Sequence, residues 1–225
     1  MIIDTHGHYD DEQFDVDREM LLTNLKERGL KAIVTVGASM QTSENALALA
    51  HQYPAVYAAV GVHPDEVGEL NDDALARLEE MCHDPKVVAV GEIGLDYHYD
   101  LSPRDVQRDV FRRQLRLAHE TGLPVALHIR EAHDEAFQIL QEEGLPKAGV
   151  LLHCFDLDWE TLEPWVDAGC YVAFGGALTF KKADYTRDAA VRAPKNLLLT
   201  ETDSPYMTPE PMRGMVCEPF HTLFT

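Results

Sequence analysis

The feature that most constrains this chain is an alternation: short apolar, β-branched runs are separated by longer helical patterns along all 225 residues. Strand-like runs fall at 2–6, 32–36, 56–62, 87–92, 125–128, 150–153, 171–175 and 197–200, read from their length and β-branched content. Helical patterns lie near 15–28, 42–52, 72–82, 103–121, 132–143, 159–168 and 183–192. Such strict alternation calls for a parallel sheet covered by helices. No Gly/Ser tract, low-complexity run or composition shift divides the sequence, so residues 1–225 are expected to form one domain.

The segment 103–121 carries the logic at residue level. Ser102 is placed to cap, Pro103 to take the first helical position, and Val106, Val110, Phe111, Leu115 and Ala118 to form a core stripe before Gly122 stops the helix. Arg104, Arg108, Arg112 and Arg116 recur at a spacing of four. They read either as a nucleic-acid stripe or as a solvated face paired with Asp105, Asp109 and Glu120, and the second is the commoner use of such a pattern.

Composition excludes some partners. A formal net charge of −20 argues against non-specific wrapping of DNA, which draws its affinity from clustered Lys and Arg. If the chain acts on nucleic acid, bound cations must provide the attraction. No run approaches the roughly 20 apolar residues of a membrane span and no signal-like segment precedes the first strand, so a cytoplasmic protein is expected, a monomer or weak homo-oligomer. Cys82, Cys154, Cys170 and Cys217 are widely spaced without a CxxC pair, which suits reduced thiols.

Eight parallel strands can close into a barrel or stay open. The polar residues favour the barrel: His6, His8, His63, Glu92, His128, His153 and Asp203 all fall at or just after the carboxyl ends of predicted strands, the end where a (β/α)8 barrel collects its catalytic groups. His6 and His8 alternate along an extended segment and so point to one side, as two ligands of one metal must. A lone His-x-His is more often a satisfied core pair, but further ligand-type residues recur at equivalent places in the βα units. Six ligands, His6, His8, Glu92, His128, His153 and Asp203, exceed one tetrahedral ion and suit two divalent ions about 3.5–4 Å apart. Glu92, midway round the barrel, is the natural bridge, with His6, His8 and Asp203 to one side and His128 and His153 to the other. The ions would neutralise charge on a phosphoryl or carbonyl oxygen, and Asp203 would accept the proton of the attacking water. His63 would oversupply the metals, and suits a hydrogen bond to substrate phosphate or a structural role equally. Arg130 suits an anionic substrate or an ordinary ion pair. Tyr97, Tyr99, Phe155 and Tyr206 are placed to stack on bases or to pack in the core.

With these residues in view, the chain resembles the TatD-type metal-dependent deoxyribonucleases of the amidohydrolase superfamily. The likeness runs through MIIDTHGHYDD, GVHPDE, VGEIGLDYH, LPVALHIREAH, LLHCF, AFGGALTFK and LLLTETDSPYMTPEPMRG. It implies a TIM barrel, a divalent metal centre and hydrolysis of DNA phosphodiesters, typically as an exonuclease trimming from the 3′ end. It also implies His6, His8, Glu92 and Asp203 on one metal, Glu92, His128 and His153 on the other, and His63 near the substrate phosphate, with catalytic weight on Asp203, Glu92 and His63. Zinc suits the imidazoles, with magnesium or manganese as alternative active ions. The rival expectations are a two-metal hydrolase of another ester or amide, such as an aminoacyl-tRNA ester, and a non-catalytic metal-binding protein. The chain departs from the family pattern at Asp156-Leu157, where Ser-Gly is usual, at Cys217, where Asn is common, and after the eighth strand, where the last helix is expected to be missing or incomplete.

Overall fold

In the computed structural model, which describes residues 2–225, the strands are β1 (Ile2–Gly7), β2 (Leu30–Val36), β3 (Val56–Val60), β4 (Val87–Asp96), β5 (Val125–Arg130), β6 (Val150–Leu152), β7 (Tyr171–Phe174) and β8 (Leu198–Thr200). Between them run α1 (Arg18–Thr23), α2 (Met40–Gln52), α3 (Asp72–Cys82), α4 (Arg104–Thr121), α5 (His133–Glu143), α6 (Trp159–Asp167) and α7 (Asp184–Arg192). The strands form one parallel sheet in the order β1-β2-β3-β4-β5-β6-β7-β8, and β1 meets the chain beyond β8 again through a parallel bridge between Gly7 and Ser204. This is the connectivity of a (β/α)8 barrel. No described helix is long and apolar enough to cross a membrane.

The chain divides into two compact units. The first holds the chain up to Thr35 together with Leu49–Tyr57 and His153–Thr225. Its core includes Tyr9, Phe14, Leu21, Leu25, Ile33 and Trp165. Its seam is drawn shut by hydrogen bonds from Thr5 Oγ1 to the Thr200 carbonyl (3.0 Å) and from the Asp203 amide to the His6 carbonyl (2.9 Å). After β8 the chain forms a short 3-10 turn, Pro219–Phe224. Arg28 holds this turn by an ion pair to Glu218 (3.0 Å) and by lying 4.9 Å above the Phe220 ring.

The second unit, Val36–Ala48 with Ala58–Leu152, is organised by α4 on β4. Val110, Phe111, Leu115 and Ala118 are buried as their spacing predicts, and Gly122 ends the helix in the left-handed conformation (φ 70°). Three expectations are corrected. Val106 is exposed. Pro103, not Ser102, is the N-cap, because the Ser102 hydroxyl donates instead to the Asp65 carbonyl (2.9 Å). The arginine stripe is an ion-paired face, but its partners are Asp100, Glu135, Glu142 and Glu143, since α5 presents its own acidic side to α4.

Two strand ends also differ from expectation. β3 stops at Val60, and the backbone of the next two residues is satisfied by side chains. Ser43 Oγ donates to the Gly61 carbonyl and accepts from its amide, both at 3.0 Å. Gln114, buried on α4, accepts from the Val62 amide (2.8 Å) and donates to its carbonyl (2.9 Å). One helical stretch earlier on the same face, Gln107 does the same for Asp96, accepting at 2.9 Å and donating at 3.1 Å. β4, paired with β5 as far as Asp96↔Arg130, runs four residues past the expected end at Glu92.

Close approach of β4 and β5 sets a strict steric condition at Gly94, which has φ 148°. A Cβ there would lie 1.9 Å from the His128 carbonyl oxygen, whereas one at Gly122 meets nothing within 4 Å. We expect Gly94→Ala to cost on the order of 3–5 kcal/mol in urea denaturation and Gly122→Ala only about 1–2 kcal/mol. Equal losses would mean that the β4–β5 approach does not constrain this site.

Candidate metal-binding groups

The first unit brings His6, His8 and Asp203 together. β1 delivers His6 fully buried, and His8 follows on the same side. Asp203, held in the left-handed region (φ 59°), places its carboxylate 3.9 Å from His6 Nε2 and 3.6 Å from His8 Nε2. Burial pushes the Asp203 carboxyl upward, but His8, His153 and His6 outweigh it, so the group stays below the ordinary carboxylate range. The local backbone is set by Asp4, which is fully buried. Its Oδ1 accepts from the Thr202 amide (2.9 Å) and the His6 amide (3.4 Å), while Oδ2 accepts from the Thr202 hydroxyl (2.7 Å) and from Tyr9 Oη. Burial drives the Asp4 carboxyl up to about 7 despite these donors.

The His153 ring stacks on that of His6, with centroids 3.8 Å apart and planes 13° apart. His6, His153 and Glu201 form a further group of ligand type. Glu201 was not singled out from the sequence. It is fully buried, its Oε1 lies 3.5 Å from His153 Nδ1 and accepts from the Cys154 amide, and its Oε2 has no partner in the protein. The available signal was the repeat Thr200-Glu201-Thr202-Asp203, in which two carboxylates are spaced like His6 and His8.

The second unit assembles His63, Glu92 and His128. His63 caps the 3-10 turn Pro64–Glu69, and its Nδ1 accepts from the Asp65 amide (3.2 Å). In the neutral ring this leaves the proton on Nε2, the nitrogen 3.7 Å from Glu92 Oε1, so His63 faces the group as a donor. Its ring meets that of His128 at 4.2 Å, edge on. His128 Nδ1 is 2.8 Å from Glu92 Oε1 and His128 Nε2 is 3.0 Å from Asp96 Oδ2.

Asp96, like Glu201, carries no motif of its own in the sequence, and it lies four residues beyond Glu92 at the end of β4. It is fully buried. Its Oδ1 accepts from the amides of His98 and Tyr99, each at 2.9 Å. Burial raises its pKa, yet the His128 hydrogen bond and the two amides prevail and hold it at about 2. With a cation at Nδ1, Asp96 would hold the Nε2 proton of His128, the usual way a second carboxylate orients a ligating imidazole.

These donor sets fit divalent cations. Two of the groups join imidazoles to a carboxylate, with ligand atoms within 4.8 Å of one another, and in the third Glu92 and His128 are the ligand types, with His63 beside them as a donor. The fully buried Glu201 has an Oε2 without a hydrogen-bond partner in the protein, an acceptor that a bound cation would satisfy. Of the four aromatics, Phe155 is core and Tyr97 donates to Glu135 (2.6 Å), whereas Tyr99 and Tyr206 are exposed. Among the departures from the family pattern, the Asp156 carbonyl accepts from Thr186 (2.9 Å), and buried Cys217 donates its amide to the Pro205 carbonyl (3.0 Å).

Asp96→Ala is expected to weaken divalent-ion binding by about 10–100-fold, read by titration calorimetry on folded protein. Undiminished affinity would mean that packing alone orients His128.

Comparisons with known proteins agree with this geometry. The family model described as TatD related DNase matches residues 3–224. An uncharacterized metal-dependent hydrolase of Bacillus subtilis, YabD, is 39% identical over the whole chain and 88% of its own length. The 3′-5′ ssDNA/RNA exonuclease TatD of Cronobacter turicensis is 35% identical over 88% of this chain and 75% of its own. The crystal structure of YjjV, a TatD homologue from Escherichia coli, superposes with a TM-score of 0.91 at 34% identity, covering 98% of this chain and 86% of that one. Strand order, ligand groups and relatives thus converge, and the chain belongs to the TatD family of metal-dependent hydrolases.

Proposed function

We propose that this hydrolase cleaves DNA phosphodiester bonds as a 3′-5′ exodeoxyribonuclease, using two divalent ions held by His6, His8, Glu92, His128, His153 and Asp203, with Glu201 as an additional ligand. The observation that carries the reading is the identity of 35% with a relative described as a 3′-5′ ssDNA/RNA exonuclease. Four imidazoles favour tight binding of zinc, with magnesium or manganese as alternative active ions.

Divalent ions at these groups would supply charge neutralisation for the phosphoryl oxygens. The remaining roles belong to the chain. Asp203, kept ionised by His8, His153 and His6, accepts the proton of the attacking water. His63 donates its Nε2 proton to a substrate phosphate oxygen, a role its hydrogen bond from the Asp65 amide prepares. Asp96 acts through His128 as a positioning residue. The net charge of −20 is compatible with a nucleic-acid substrate because bound cations are the largest local charges in such a site.

Metal-stripped protein, restored with Mg²⁺, Mn²⁺ or Zn²⁺, is expected to shorten a 5′-labelled single-stranded oligonucleotide stepwise from its 3′ end. Glu92→Ala and Asp203→Ala should both reduce that activity to background. Folded, metal-loaded protein that leaves the oligonucleotide intact under all three ions would refute the nuclease assignment, and turnover of an aminoacyl ester instead would move it to another ester.

A further inference from the structure

Arg130 is unusual in this molecule. Among the described residues, every arginine except Arg130 and Arg213 has a carboxylate within 4.0 Å. Arg213 donates to the Thr208 carbonyl (3.2 Å). The guanidinium of Arg130 makes neither kind of contact; it lies 4.7 Å from the centre of the Tyr99 ring, and Tyr99 is 56% exposed. In a chain where Asp and Glu outnumber Lys and Arg by 39 to 19, an exposed guanidinium without an anion is not an accident of supply.

The acidic groups around it are already engaged. Asp96, its register partner on β4, binds His128 and two amides. Asp100 pairs with Arg104 (2.9 Å), and Glu131 lies 2.7 Å from His98 Nδ1. Position adds direction: Arg130 follows His128 by two on β5, so the two side chains leave the same face of the strand. With its guanidinium over the tyrosine ring and no hydrogen bond from its N–H groups to the protein, Arg130 has donors available to take phosphate.

We propose that Arg130 and Tyr99 form a subsite for a nucleotide of a single-stranded substrate adjoining the scissile phosphate. Arg130 binds the backbone phosphate, and the exposed Tyr99 ring packs on the neighbouring sugar or base. The inference rests on the nuclease reading and adds to it the place where the strand is held.

The test compares metal-loaded wild type, Arg130→Ala and Tyr99→Ala on a single-stranded oligonucleotide and on bis(p-nitrophenyl) phosphate, a diester too small to reach the subsite. Each substitution should raise KM for the oligonucleotide about tenfold with kcat changed less than about twofold. Arg130→Ala should also lower the salt dependence of oligonucleotide binding by about one phosphate contact. KM for the small diester should stay at the wild-type value. An unchanged oligonucleotide KM overturns the subsite while leaving the nuclease reading intact, and an equal loss on both substrates overturns it by assigning the effect to His128. Wild type that hydrolyses the small diester but no oligonucleotide overturns both.

Discussion

A single buried carboxylate, that of Asp4, holds the seam on which the first group of ligands is built. It lies within β1 and receives donors from the Thr202 amide and hydroxyl, the Tyr9 hydroxyl and the His6 amide. Thr202 in turn accepts from the Ser204 hydroxyl (2.7 Å) and amide (3.1 Å), so the segment that carries Asp203 is fixed on both sides. In a site of low dielectric each of these bonds is strong and each unpaired member would be costly. The network therefore dictates where the chain beyond β8 lies against β1, and with it the meeting of His6, His8 and Asp203.

The second unit solves the same problem with side-chain amides. A strand that ends short of its neighbours leaves N–H and C=O groups without partners, and a buried segment cannot leave them so. Ser43, Gln114 and Gln107 take over where the ladders stop, offering a donor and an acceptor in the pairing that a strand would offer. His63 follows directly on the segment held by Gln114, and Asp96, the last residue of β4, is held by Gln107. Packing of α4 on the sheet is thus coupled to the orientation of the polar groups, through residues that touch no substrate.

Charge is distributed unevenly across the molecule. Most arginines are consumed by exposed ion pairs, each worth little for stability, so the surface as a whole remains acidic. Buried Glu92 and Glu201 and part-buried Asp203 set carboxylates among imidazoles. This arrangement costs free energy in the bare protein and returns it when cations bind, the linkage expected where a cation-binding site is formed by the native fold.

Much of this was legible in the residues themselves. Periodicity located every strand and helix, because burial on one face or both leaves a pattern that survives in one dimension, and the placement of histidines at strand ends picked out six ligand candidates. What escaped were features decided by partners distant in the chain. Val106 has the right spacing for the core yet faces solvent, since the covered width of a helix depends on what lies against it. Ser102 has capping chemistry, but the Asp65 carbonyl claims it. Asp96 and Glu201 are carboxylates among 39 acidic residues, and only their burial beside His128 and His153 separates them from the solvated majority. The sequence by itself determined the alternation of elements and the chemical kinds of ligand, because both are properties of short segments. The tertiary structure alone decided which imidazole faces which carboxylate and which arginine is left without an anion, because those choices depend on distances between residues far apart in the chain.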